Sequence, residues 1–345
     1  MSGRDRQDPI QWAADAGTDL YDIATWEPRT RLDGFAMSVY RSILAGGRAL
    51  VIGLAILIVL SQFLFTGMAA IRDPLVGVYI LLSIVPALLL AVFLWRSDVL
   101  VREPLEQLVI TFLLGFVLAG FAAVFNSAFK GFFLPFGAIG SLLFFFIIVG
   151  PIEESVKLLA VRLHAYRSAP FDAVIDGAVY GAMAGLGFAA IENTIYIAGQ
   201  YLAVSQVGGT VGVPTVTTAA VRTFAGPGHV IYSAFAGYYL GLAKFNPEHR
   251  GPIIAKGLIV AVFIHATYNT LVSHLDFVLG FVPILASLPQ MFAFIGFVIA
   301  YDGFFLLVLY TKLRRYRRVF DEVGASSFYE ESERTTEAHS SVFDR

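Results

Sequence analysis

The chain has 345 residues, of which 57% are hydrophobic and only 14% charged, with phenylalanine at 31 positions. No soluble domain of this size can bury so much apolar surface, so an all-α, polytopic helical membrane protein is expected. A net charge of −2 excludes a nucleic-acid partner, and the absence of cysteine excludes disulfides, thiolate nucleophiles and thiolate-held metals.

The first segment, 1–40, opens MSGRDRQDPIQWAADAGTDLYD and lacks the apolar stretch of a signal peptide. It is expected to be a loosely attached polar tail, so the first span is a retained helix. Apolar runs of about 20 residues, enough to cross a hydrocarbon core about 30 Å thick, predict eight transmembrane helices. These are 49–69, 75–95, 108–129, 139–161, 174–198, 219–243, 253–275 and 284–311, within a membrane domain spanning 41–311. The runs are continuous rather than alternating, which argues against a β-barrel. LPFGAIG, 134–140, reads as a short re-entrant or loop segment before the fourth span. The last segment, 312–345, begins with the basic KLRRYRR and ends acidic and Ser-rich, a second loosely attached tail. Lys and Arg concentrate in the tails and in 96–107, 162–173 and 244–256, which places both termini in the cytoplasm.

A charge at a helix centre costs about 2.5–3.5 kcal/mol on insertion scales, so each one needs a partner, a wet cavity or a task. The first three spans carry no ionisable residue at depth. The fourth carries PIEESVKLLA, where Glu153 pairs with Lys157 at i,i+4 and Glu154 with Lys157 at i,i+3. One ammonium compensates one carboxylate, and the other is available as a general base. The plainer reading is an ion pair near the cytoplasmic end, with Lys157 reaching outward.

The fifth span carries FAAIENTIYI, with Glu192 on one face with Phe188 and Tyr196 and next to Asn193. In the sixth, FAGPGHVIYSAFAGYYLG, Pro227 interrupts the helix before His229, and Arg222 lies near an interface. The seventh, VFIHATYNT, places His265 and Asn269 on one face. His164, His249, His274 and His339 lie at helix ends or in polar segments and read as solvated. At about 1.5 Å per residue, Glu154, His229 and His265 fall roughly 12–16 Å from the cytoplasmic boundary and Glu192 about 20 Å or more. The first three are therefore expected to converge, with Glu192 farther off. Such a set activates water: a carboxylate takes its proton, a His orients it or binds a metal, and an Asn or His stabilises the oxyanion. Pro151 and Pro227, each two residues before an ionisable group, are expected to open a wet pocket.

These residues resemble a known pattern. EESVK fits EExxK, FAAIEN fits FxxxEN, GPGHVIYSAFAGYYLG fits a His-containing third motif, and HATYN fits HxxxN. In this order, over about 139–275, the set is similar to the PrsW family of intramembrane proteases, distantly similar to CAAX-processing and bacteriocin-processing membrane proteases. The resemblance implies hydrolysis of a peptide bond in a membrane-anchored protein, such as an anti-sigma factor, in a bacterial plasma membrane. It implies that Glu153 and Glu154 are the catalytic carboxylates, completed by Glu192, His229 and His265. Asn269 would be an oxyanion or orienting group and Lys157 a structural counter-ion. It also implies a metalloprotease, with His229, His265 and Glu192 as ligands of Zn²⁺, although there is no HExxH and a metal-free Glu/His site uses the same groups.

Two other classes share these features. A proton- or ion-coupled transporter also uses broken helices and midplane carboxylates, but the two halves show no repeat symmetry and the ionisable residues crowd into one half. A non-catalytic scaffold uses polar groups to hold helices together, a task that Ser, Thr and Gly perform at lower cost.

Overall fold

A computed structural model describes residues 18–22, 24–96, 103–210, 212–281 and 288–343, with side chains as far as 323. Among the described residues the structure is helical, without strands. The helices are α1 (Arg31–Arg72), α2 (Pro74–Arg96), α3 (Leu105–Phe133), α4 (Gly137–Phe144), α5 (Gly150–Leu163), α6 (Val174–Gln206), α7 (Gly212–Lys244), α8 (Arg250–Ser273), α9 (Leu275–Gly280) and α10 (Gln290–Phe343). The protein is a helical membrane protein. Six helical segments are long and apolar enough to cross a bilayer: Arg31–Arg72, Pro74–Arg96, Leu105–Arg167, Val174–Gln206, Pro247–Ser273 and Gln290–Val323. Leu105–Arg167 contains both the third and the fourth expected spans. The expected sixth, 219–243, lies in α7, which is not among the six. Outward-facing Leu81, Leu89, Phe132 and Ile259 are exposed, as lipid contact requires.

The chain forms two compact units, Met1–Leu57 and Ile58–Arg345. In the first, Thr30 and Asp33 set the start of α1. Asp33 accepts the Thr30 N–H at 2.7 Å, and the Asp33 N–H donates to the Thr30 hydroxyl at 3.2 Å. Tyr21 also donates its hydroxyl to Asp33. Arg29 donates to both oxygens of Asp19 at 2.7 Å, and this lowers the Asp19 pKa from its ordinary value.

In the second unit α6 is the most enclosed helix, and α7 packs along it. Asp176 fixes the entry to α6 by accepting the Ala173 N–H at 2.6 Å and the Asp172 N–H at 2.9 Å. Gly177, Gly181 and Gly185 lie against the Gly237, Ser233 and His229 carbonyls of antiparallel α7. Small residues four apart let the two backbones meet, as membrane helices require. A Cβ at Gly181 would collide with the Ser233 carbonyl. Gly181→Ala is therefore expected to destabilise the protein by about 1–3 kcal/mol through overpacking. Reversible unfolding in mixed micelles checks this, and unchanged stability would contradict the close approach. Around this pair, α3 packs on α6, α2 on both, α8 and α10 on α7, and α5 between α3, α6 and α8.

The LPFGAIG segment is not an open loop. Leu134–Phe136 form a 3₁₀ turn, Gly137 takes φ +58°, and the eight-residue α4 follows. A wide turn at Phe145–Val149 then leads into α5, closed by the Gly150 N–H donating to the Phe145 carbonyl. Pro151 has no N–H to continue a regular ladder, and the wide turn takes up the break. The α10 backbone runs into the segment 312–345 as far as Phe343. Residues 1–17 and 23 of segment 1–40 lie outside the described residues.

Candidate active site

Five helices bring one polar cluster together. The first turns of α5 point Glu153, Glu154 and Lys157 into the bundle, where all three are buried. Lys157 Nζ is 2.7 Å from Glu154 Oε1, 3.9 Å from Glu153 Oε2 and 2.9 Å from His229 Nδ1. Its ammonium also stands 4.3 Å from the Phe188 ring centroid. Lys157 is 1% exposed and turned inward, against the plainer reading of a lysine reaching outward, because two carboxylates and an imidazole await it there.

Hydrogen-bond roles follow from the partners. The Lys157 ammonium has only donors, so His229 Nδ1 accepts and Nε2 carries the proton. That Nε2–H donates to Glu192 Oε2 at 2.7 Å. His265 Nδ1 donates to Glu154 Oε1 at 2.8 Å, leaving the Nε2 lone pair 3.7 Å from Glu153 Oε2. Asn126 Nδ2, on α3, donates to Glu153 Oε1 at 2.8 Å. Glu153 Oε2 and Glu154 Oε2 are buried without a hydrogen-bond partner.

Glu192 is closer than its depth count implies. On α6 and α7, each four residues forward on one matches four back on the other. Continuing this register places Glu192 opposite Arg222, and the two form an ion pair. Helix side chains lean toward their own N-terminus, and this carries the Glu192 carboxylate back to the level of His229. Arg222, read as interfacial, instead pairs with Glu192 and donates from Nε to Asn193 Oδ1 at 2.9 Å. The Asn193 amide in turn donates to the Ser83 hydroxyl and the Arg222 carbonyl, each at 3.2 Å, which ties α2, α6 and α7 together.

A cavity of about 840 Å³ adjoins the cluster, lined by Glu153, Glu192, Arg222, His229, His265 and Asn269. Glu154 and Lys157 lie behind it. Lys130, Phe144, Thr217 and His274 also line it. His274 and His164 are partly buried, with Nε2 atoms lacking a partner, which corrects their reading as solvated. His249 is exposed as expected, while the His339 side chain lies outside the described residues.

Ligand atoms of Glu153, His229 and His265 lie within 4.8 Å of one another, a separation that suits a metal ion. Glu153 takes the place expected for Glu192, whose Oε2 is occupied by Arg222 and His229. Two imidazoles and a carboxylate are a common zinc donor set, and the orphaned Glu153 Oε2 beside His265 Nε2 supplies two of its atoms. Carboxylates behind both histidines, Glu154 and Glu192, are the usual outer partners of such ligands. His229 would have to release Lys157 or Glu192 to supply the third.

Sequence reasoning missed Asn126, whose signal is one amide in the apolar run AVFNSAF. It also missed the inward role of Arg222, seven residues and so two turns before His229. Asp302, in the run AYDGFF of the last span, is a further buried ionisable residue that went unread.

Residues 103–299 match the family model described as PrsW family intramembrane metalloprotease. A protein of Halalkalibacterium halodurans named Protease PrsW is 31% identical over 191 residues, 55% of this chain and 80% of the relative. Its namesake in Bacillus subtilis is 29% identical over 197 residues, 56% and 82% respectively. The one in Clostridioides difficile is 27% identical over 192 residues, 55% and 76%. No solved structure matches the chain.

Proposed function

The chain belongs to the PrsW family of intramembrane proteases, and from that premise we propose that its Glu–His cluster hydrolyses a peptide bond in a membrane-anchored protein substrate. The observation that carries this reading is the pair Glu153 Oε2 and His265 Nε2, 3.7 Å apart at the wall of the cavity. Glu153 Oε2 has no hydrogen-bond partner, so a water between it and the His265 Nε2 lone pair has one acceptor for its proton and a second that orients it. Glu153 takes that proton and the hydroxide attacks the scissile carbonyl. Glu154 lies behind and holds His265 through Nδ1, which fixes the tautomer. Glu192 and Arg222 do the same for His229. Lys157 balances the buried carboxylates. Asn269, one turn from His265 on the cavity wall, supplies an amide donor for the oxyanion. The proton on Glu153 then passes to the departing amine, which regenerates the site.

A zinc ion held by Glu153, His229 and His265 would supply Lewis-acid activation of water in place of the Glu153 base, since Glu153 Oε2 and His265 Nε2 would then be its ligands. Elemental analysis of the purified protein decides between the two: about one zinc per chain, lost in His265→Ala, would make Glu153 a ligand and remove it as the base. A folded protein that takes up no zinc would leave the Glu/His pair as the sole activating groups.

Cleavage itself is tested in proteoliposomes with a panel of epitope-tagged single-span membrane proteins, anti-sigma-like regulators included. Fragments that appear with the wild type and vanish with Glu153→Gln support the reading, and flux without cleavage would favour a transporter. The Lys and Arg distribution supports cytoplasmic termini. The chain has no native cysteine, so single cysteines report sidedness directly. Val207→Cys, between α6 and α7, is expected to react with an impermeant maleimide on intact cells, and Glu248→Cys, between α7 and α8, only after permeabilisation. The reverse pattern would invert the topology.

A further inference from the structure

We propose that the last helix positions the active-site histidine: Asp302 acts through Tyr232 on the ring of His265, and Tyr301 holds the backbone beneath it. The inference rests on the hydrolase reading of His265. The residues are adjacent on α10 and lie just beyond the family match, which ends at 299.

Asp302 is 5% exposed within an apolar span. Among the described residues, no Lys, Arg or His lies within ion-pairing distance of it. Leucine would fill this volume without the cost of burying a carboxyl group. What the carboxyl group does is accept the Tyr232 hydroxyl at 2.8 Å. Tyr232 is fully buried, and its ring lies against His265 at a centroid distance of 5.3 Å and an angle of 30°. His229 meets His265 on another side, edge-on at 5.2 Å. The imidazole is therefore boxed between two rings, and a phenol fixed at its hydroxyl end cannot swing away. Beside this, the Tyr301 hydroxyl donates to the carbonyl of Ile264, the residue before His265, at 2.8 Å. One two-residue stretch thus fastens His265 at ring and backbone, so that Nε2 faces Glu153.

The test uses full-length protein labelled with ¹⁵N-histidine in micelles, together with proteoliposome cleavage of a single-span reporter from the panel. The His265 ring resonances are identified by their loss in His265→Gln. Asp302→Leu and Tyr232→Phe are expected to move them in the same way, and the double variant no further. Asp302→Asn keeps a carbonyl acceptor for Tyr232 and is expected to return them toward wild type. In parallel, kcat is expected to fall about tenfold to a hundredfold in Asp302→Leu and Tyr232→Phe with KM unchanged, as small misplacements of a catalytic group do. Unmoved resonances in folded Tyr232→Phe overturn the inference, as does a folded Asp302→Asn that behaves like a loss of the side chain. If Asp302→Leu fails to fold, those two milder variants decide. If the wild type cuts no reporter, the hydrolase reading fails, while the resonances still decide whether α10 positions His265.

Discussion

Glu153→Gln is expected to lower the cleavage rate by about a hundredfold to ten-thousandfold, the usual worth of a general base, while the protein stays folded. Glutamine keeps the volume and can still accept the Asn126 amide that Glu153 Oε1 accepts at 2.8 Å. What it loses is the basic oxygen at the cavity wall, Oε2, which has no other hydrogen-bond partner. Glu154→Gln should also lose activity, but for a different reason. Glu154 is 0% exposed and does not reach the cavity; it binds Lys157 at 2.7 Å and His265 at 2.8 Å. Its amide would lose the charge facing Lys157 and free His265 to turn. The two variants are separated by measuring initial rates beside unfolding curves: Glu153→Gln inactive and stable, Glu154→Gln inactive and less stable. A Glu153→Gln protein that cleaves at the wild-type rate would remove Glu153 as the base.

Lys157→Met should be the most destabilising single change in the cluster, by about 3–5 kcal/mol, the cost of leaving buried charges without their partner. Methionine matches the lysine stem in length, so the loss is that of the ammonium, its contact with the Phe188 ring included. The ammonium faces Glu154, Glu153 and His229 at once, and among the described residues no other ammonium or guanidinium comes within 4 Å of either carboxylate, His265 beside them being the neutral imidazole. Lys157→Arg should not rescue it, because a planar guanidinium cannot replace a compact ammonium in a site 1% exposed. The measurement is reversible unfolding in mixed micelles at fixed lipid content. Stability equal to wild type would mean that the carboxylates are neutralised by other means.

Much of the site was legible because intramembrane charge is costly enough to mark itself. PIEESVKLLA, FAAIENTIYI, GPGHVIY and HATYN each announce a polar group that the bilayer would otherwise reject, and their helical spacing shows which residues share a face. That logic gave Glu153, Glu154, Lys157, Glu192, His229, His265 and Asn269. It could not give Asn126, since a single uncharged amide costs too little to stand out in an apolar helix. It underweighted Arg222 and passed over Asp302, because near a span's end or singly on a long helix such residues also suit an interface.

The sequence by itself determined the class of the protein: composition and run length force helices across a bilayer, and burying charge without a partner forces those helices to pool their polar groups. Only the tertiary structure decided which groups meet. The glycine-lined register of α6 on α7 sets Glu192 against Arg222 and His229, and depth along one helix does not encode that pairing. The wide turn before Pro151 and the packing of α5 between α3, α6 and α8 leave Glu153 on the cavity wall and Glu154 behind it, although the two are neighbours in the chain. Spacing along a helix fixes direction from its own axis; rotation and register between helices come from side-chain packing across the interface, and those contacts set Glu153 at the cavity and Glu154 behind it.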